Sequence, residues 1–206
     1  MENTRLFFCI LPQNISEREI VALTDALPDR RKEKAAAFKG QSGRLLCAAS
    51  WHLLRYCAKQ VFDIDVFGLN ITENEKNKPH FTDKQNYHFN ISHCPTAITC
   101  ALDLFTCGVD VEPLRKANFS VAKRFMNAVD YTKFISLENS LEQDGFFTMK
   151  WTEFESIYKA GTGGLRDDYL LRRYKIGNYF LSLYAKSRLA PCETEMVDFS
   201  QLKYLI

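Results

Sequence analysis

Within the run Gly108-Val109-Asp110-Val111-Glu112, strand geometry sends Asp110 and Glu112 to one face and Val111 to the other, so two carboxylates converge. Oxygen donors of this kind suit a hard cation such as magnesium, which also relieves the repulsion between the two anions. Acidic residues two apart at a strand end are also commonly just solvated. A second set is Trp151, Glu155 and Lys159, which recur every four residues and so share one face of a helix. Glu155 would supply a third carboxylate, and Lys159 a point charge for a phosphate held at the cation. The plainer reading is an ordinary surface pair worth about 0.3 kcal/mol. A third set is the polar turn Asn90-Ile91-Ser92-His93-Cys94, where Ser92 and His93 can donate hydrogen bonds to a phosphate, with Lys78 beside Pro79 adding charge from the preceding loop. Arg30, Arg31, Lys32 and Lys34 form a basic run of the sort that is usually a solvated surface.

These residue types narrow the chemistry. Ser92 and His93 are adjacent, which is poor geometry for a nucleophile and its base, and no G-x-S-x-G elbow is present. There is no P-loop and no dinucleotide fingerprint. Lys and Arg number 27 against 25 Asp and Glu, so the overall field asks for neither nucleic acid nor a membrane surface, and any anion site must be local. The 7 cysteines show no close paired spacing that would hold zinc and read as reduced packing residues. No signal peptide or membrane-length apolar run is expected, which places the protein in the cytoplasm.

The elements that must position these groups follow from pattern. Residues 5–11 read as an opening strand. Ser16 with Glu19 has the form of a capping box before Ile20, Leu23 and Leu27, and Pro28 closes that helix. A core helix runs from Gly43 through Leu46, Trp51, Leu54 and Cys57. Loops and brief strands occupy 63–90, strands 97–104 and 107–111, and a long helical region 121–161 that stops at Gly161, Gly163 and Gly164. A late strand is expected over 178–184. With 206 residues and 46% hydrophobic side chains, the chain can fill a sizeable core.

Taken in order, four segments resemble the phosphopantetheinyl transferases of the surfactin-synthetase-activating type. They are Lys78-Pro79, Phe89-Asn90-Ile91-Ser92-His93, Gly108-Val109-Asp110-Val111-Glu112, and Trp151 with Glu155-Ser156-Ile157-Tyr158-Lys159 and Gly164-Leu165; Val121 to Phe125 looks like the family's linking helix. The resemblance implies an α+β fold of two similar halves, 1–105 and 106–206, packed as a pseudo-dimer with coenzyme A in the cleft between them. It implies that Asp110, Glu112 and Glu155 bind magnesium, that His93, with Ser92 beside it, contacts the 3'-phosphate, that Lys78 lies in a coenzyme-binding loop, and that Arg31, Lys34 and Arg44 are further phosphate contacts. The activity implied is transfer of 4'-phosphopantetheine from coenzyme A to a serine of an apo acyl, peptidyl or aryl carrier protein, releasing adenosine 3',5'-bisphosphate. Glu155 and Lys159 are then the catalytic residues and the protein a monomer, with no nucleic acid or membrane partner. The alternative is a coenzyme A-binding pseudoenzyme or regulatory module of the same fold.

Two positions depart from the family's pattern: Phe154 stands where Lys usually precedes the metal-binding Glu, and Asn77 replaces the usual Gly before Lys-Pro. The carrier protein is expected to dock at 162–171, where Leu165, Tyr169, Leu170 and Leu171 offer apolar surface and Arg166, Arg172 and Arg173 steer an acidic partner. Those leucines read equally well as core.

Overall fold

The computed structural model describes residues 4–75, 77–186, 192 and 194–203. The opening apolar run forms β1 (Arg5–Ile10). It is apolar along its centre because both of its faces are covered: Phe7 and Cys9 enter one core, Leu6 and Phe8 another. β1 pairs antiparallel with β5 (Ala97–Asp103), which pairs antiparallel with β4 (His88–Cys94). On its other edge β1 takes a parallel partner, β9 (Thr194–Met196), giving the order β4-β5-β1-β9.

Helices cover one side of this sheet. In α1 (Glu17–Asp25) both bonds of the capping box form, the Glu19 amide donating to Ser16 Oγ and the Ser16 amide to the Glu19 carboxylate. Pro28 caps the next helix, α2 (Asp29–Ala36), into which the basic run folds. α3 (Gln41–Phe62) packs on β4 and β5 and holds α1 and α2 at its flank. Its His52 is a core histidine, fully buried with Nε2 hydrogen-bonded to the Leu23 carbonyl at 2.8 Å. A hairpin of β2 (Ile71–Glu73) and β3 (Pro79–Phe81) follows. In its turn Asn77 has φ 57°, a left-handed conformation that explains why glycine suits this position and why asparagine is the tolerable substitute.

The second sheet is antiparallel, in the order β6-β8-β7: β6 (Gly108–Pro113), β7 (Tyr169–Ile176) and β8 (Tyr179–Lys186). Val109, Val111, Leu181 and Leu183 meet Leu6, Phe8 and Ala101 of the first sheet in the core that joins the two halves. α6 (Ser140–Ala160) lies across β6 and β8. Thr148, Thr152, Ser156 and Ala160, spaced by four, are all buried on it, and these small side chains let the helix approach the strands closely. The approach is tightest at Gly108, where a Cβ would lie 2.0 Å from the Ser156 carbonyl oxygen and 2.4 Å from the Ala160 nitrogen.

Three expectations need correction. The long helical region is three helices, α4 (Phe119–Phe125), α5 (Ala128–Ser136) and α6, each restarted by an asparagine N-cap: Asn118, Asn127 and Asn139. β7, the partner of the late strand, was not expected. Residues 90–94, expected as a polar turn, belong to strand β4. At the far end of the described residues, β9 extends the first sheet, and Phe199 and Leu202 of α7 (Phe199–Lys203) join the core beneath it. The architecture is mixed α+β, as expected. Among the described residues no helix is long and apolar enough to cross a membrane.

Candidate functional site

Residues of β4 point alternately to two sides, and this alternation organises the site. Ile91 and His93 line a cavity against α3, while Asn90 and Ser92 turn toward β6. Asn90 Oδ1 accepts a hydrogen bond from the Val109 amide at 2.7 Å, tying the two sheets together. Ser92 Oγ donates to Asp110 Oδ1 at 2.7 Å and accepts from Lys159 Nζ at 3.1 Å. Ser92 and His93 therefore do not act as one pair of phosphate donors: Ser92 is buried and committed to Asp110 and Lys159, whereas His93 stands exposed at the cavity rim. Although the side chain reaches solvent, desolvation by the surrounding cavity wall, followed by the charge of Lys159, pushes the His93 pKa below the usual imidazole value.

Asp110 is the centre of the arrangement. Lys159 Nζ lies 2.5 Å from Oδ1, while Oδ2 is buried without a hydrogen-bond partner. Glu112 is paired with Arg115 at 2.9 Å, and Arg115 in turn lies over the Trp151 ring at 5.6 Å. Glu112 and Glu155 both have carboxyl pKa values raised, first by burial and in part by the negative charge of Asp110. Glu112 and Glu155 thus each feel the charge of Asp110. The three carboxylates do not form a closed cage: among the described residues no three His, Cys, Asp or Glu side chains group closely enough to hold a metal ion. Lys159 and Arg115 serve as the counter-charges instead. The donor set nonetheless fits magnesium in kind, being all oxygen and having in Asp110 Oδ2 a buried acceptor with nothing to accept.

Two adjoining cavities open here. The larger, ≈ 530 Å³, lies in the first half and is lined by Arg31, Lys34, Trp51, Glu73 and His93 among others. The smaller, ≈ 260 Å³, runs between the halves, with Asn74, Lys78 and Asn90 on one side and Glu155, Tyr158 and Lys159 on the other. Pro79 and Ile91 line both, so the two cavities meet at these side chains.

Other residues singled out by sequence occupy different roles. Arg31 is buried, its guanidinium 3.8 Å from the centroid of Trp51, with NH1 3.4 Å from Glu73 and NH2 without a partner. Lys34 also pairs with Glu73. Lys78 turns inward: its ammonium donates to the Cys107 carbonyl at 2.8 Å, Thr106 Oγ1 at 3.3 Å and the Ala160 carbonyl at 3.5 Å. It ties the hairpin to the end of α6, and burial pushes its pKa down. Arg44 lines neither cavity and faces Glu17 at 3.7 Å. Phe154 is 41% exposed and stacks into an aromatic cluster with Phe125 and Trp151, at 5.5 and 6.1 Å. Sequence reasoning missed Trp51 as the platform under Arg31 and Glu73 as the acid between two cations; Glu73 sits in a polar stretch with nothing to distinguish it from Glu75.

Comparison with known proteins agrees with the resemblance read from the sequence. Residues 14–103 match a family model described as "4'-phosphopantetheinyl transferase, N-terminal". The chain is 25% identical over 161 residues to a 4'-phosphopantetheinyl transferase of Bacillus subtilis, covering 78% of this chain and 71% of that protein. It is 23% identical over 182 residues to 4'-phosphopantetheinyl transferase Sfp of Bacillus subtilis strain 168, covering 87% and 81%. Over 108 residues it is 32% identical to 4'-phosphopantetheinyl transferase gsp of Aneurinibacillus migulanus, covering 52% and 44%.

Proposed function

We propose that this chain, a transferase enzyme of the 4'-phosphopantetheinyl transferase type, moves the phosphopantetheine arm of coenzyme A onto a serine of an apo carrier protein. The observation that carries this reading is the trough made by the two adjoining cavities. One end is a nucleotide-sized cavity with Arg31, Lys34 and His93, and the other is the Asp110, Glu155 and Lys159 cluster. Coenzyme A carries a 3'-phosphate and a pyrophosphate, one anionic group for each of the two sets of cations. The halves form a pseudo-dimer on this reading, supported by the long helix that each lays on a pair of strands of its sheet, α3 on β4 and β5 and α6 on β6 and β8.

The nucleophile belongs to the other protein, so the chain needs positioning groups, cations and a base rather than an activated serine or cysteine. The carrier's serine oxygen bonds to the phosphorus bearing pantetheine, the bond from that phosphorus to the bridging oxygen breaks, and adenosine 3',5'-bisphosphate leaves. Glu155, whose carboxyl pKa is raised by burial, is placed to take the serine proton. Lys159, held by Asp110 and Ser92, stabilises the charge that develops on the leaving phosphate. Asp110, Glu112 and Glu155 would hold magnesium here, a hard cation that neutralises charge on a pyrophosphate. Monomeric action in the cytoplasm belongs to the same reading.

The docking surface proposed for the carrier is apolar and exposed: Leu165 is 74% and Leu170 44% accessible, so these leucines are not core. Its positive charge is smaller than the residue count suggests, because Arg166 is paired with Asp168 and Arg173 with Glu153.

Intact-mass spectrometry of apo carrier proteins incubated with the chain, coenzyme A and magnesium tests the reading. A gain of one phosphopantetheine is expected, lost with Glu155→Ala and without metal. No gain on any carrier despite measurable coenzyme A binding would point instead to a binding module. Phe154→Lys is expected to change kcat/KM for at least one carrier by about threefold or more, since it places a cation next to Glu155 in α6; unchanged efficiency and unchanged carrier preference would refute that role.

A further inference from the structure

Glu73 is an acid where an anion site should have none. It closes β2 and lines the larger cavity, where its carboxylate accepts from both Arg31 NH1 and Lys34 Nζ. The hydrogen bond from Lys34, and then the charges of Lys34 and Arg31, hold the Glu73 carboxyl below the usual range, so it is ionised near neutrality. Arg31 cannot leave: it is buried and stacked on Trp51, and its NH2 has no partner. The cavity therefore contains a fixed guanidinium with one donor unused and a second donor, together with the Lys34 ammonium, occupied by a carboxylate of the protein itself.

We propose that Glu73 is a resident counter-anion which the 3'-phosphate of coenzyme A must displace from Arg31 and Lys34, so that it weakens coenzyme A binding and sets how strongly the site favours coenzyme A over its 3'-dephospho form. This rests on the assignment of the trough to coenzyme A. A phosphate dianion entering while Glu73 remained would bring three negative charges against two cations at close range, whereas displacement leaves two against two. Glu73 is well placed to move, because it ends a three-residue strand next to the turn at 74–78 rather than lying in either large sheet. In the free protein it compensates a buried guanidinium that would otherwise lack a charge partner.

Calorimetric titration of the parent protein and of Glu73→Gln with coenzyme A and with dephospho-coenzyme A tests this. Glu73→Gln is expected to bind coenzyme A about tenfold tighter while dephospho-coenzyme A changes by less than about twofold. Its melting temperature without ligand should fall, and coenzyme A should raise it more than in the parent. Should Glu73→Gln not fold, Glu73→Asp, with a carboxylate one methylene shorter, is expected to tighten coenzyme A by about two- to threefold. Equal or weaker coenzyme A binding in the folded variants, or equal tightening of both nucleotides, overturns the role of Glu73 alone. No binding of coenzyme A to any form, parent included, overturns the coenzyme assignment and the inference together.

Discussion

Gly108→Ala is expected to lower the melting temperature by roughly 6–12 °C, the equivalent of about 3 kcal/mol in a protein of this size. The added methyl would stand 2.0 Å from one backbone atom of α6 and 2.4 Å from another. Backbone atoms have no rotamer to adopt, so the helix must lift from β6 or the strand must sink into the shared core of Val109, Val111 and Leu183. Either movement separates Lys159 and Glu155 on the helix from Asp110 on the strand, and a shift of about 1 Å at a reacting centre costs about 10²-fold in rate. Thermal melting and the carrier-loading rate measured on the same sample check both effects. An unaltered melting curve would mean that the helix and strand are not locked at this glycine.

Asp110→Asn is expected to reduce carrier loading by roughly 10²–10³-fold with the fold retained. Asparagine keeps an acceptor for Ser92 Oγ but loses the charge that holds Lys159 and the free Oδ2 that suits a cation. The stability cost should be near 1 kcal/mol, because Lys159 is 28% accessible and can turn to water. Lys159→Ala should cost a similar factor in rate. The double variant should be little worse than either alone, since the two side chains work as a unit. Multiplicative losses would show that they act separately.

Much of the site was legible because period and chemistry coincided. Alternation on β6 put Asp110 and Glu112 on one face, and four-residue spacing on α6 put Glu155 and Lys159 on one face. Residues 90–94 read as a polar turn because of Asn90, Ser92 and His93, but they are strand β4, whose alternation turns Ser92 and His93 to opposite sides. The division of 121–161 into three helices was marked by Asn118, Asn127 and Asn139, each a good N-cap, but apolar residues continue across the breaks and masked them. Other features had no local signal. Lys78 reaches carbonyls at residues 107 and 160, and Arg31 stacks on a tryptophan twenty positions later, contacts that only the folded chain creates. The basic run could be read as charge but not sorted into Arg31 buried and Lys34 exposed until α2 was set against α3.

The parallel pairing of β9 with β1 has a consequence for synthesis on the ribosome. β1 is made before β9 and before every element between them, so one edge of the first sheet stays open until the chain has emerged past residue 196. An open strand edge is a template for unwanted pairing between nascent chains, and β1 is apolar along most of its length. Emergence of β9, rather than pairing of β1 with β5, is then the event that seals this edge.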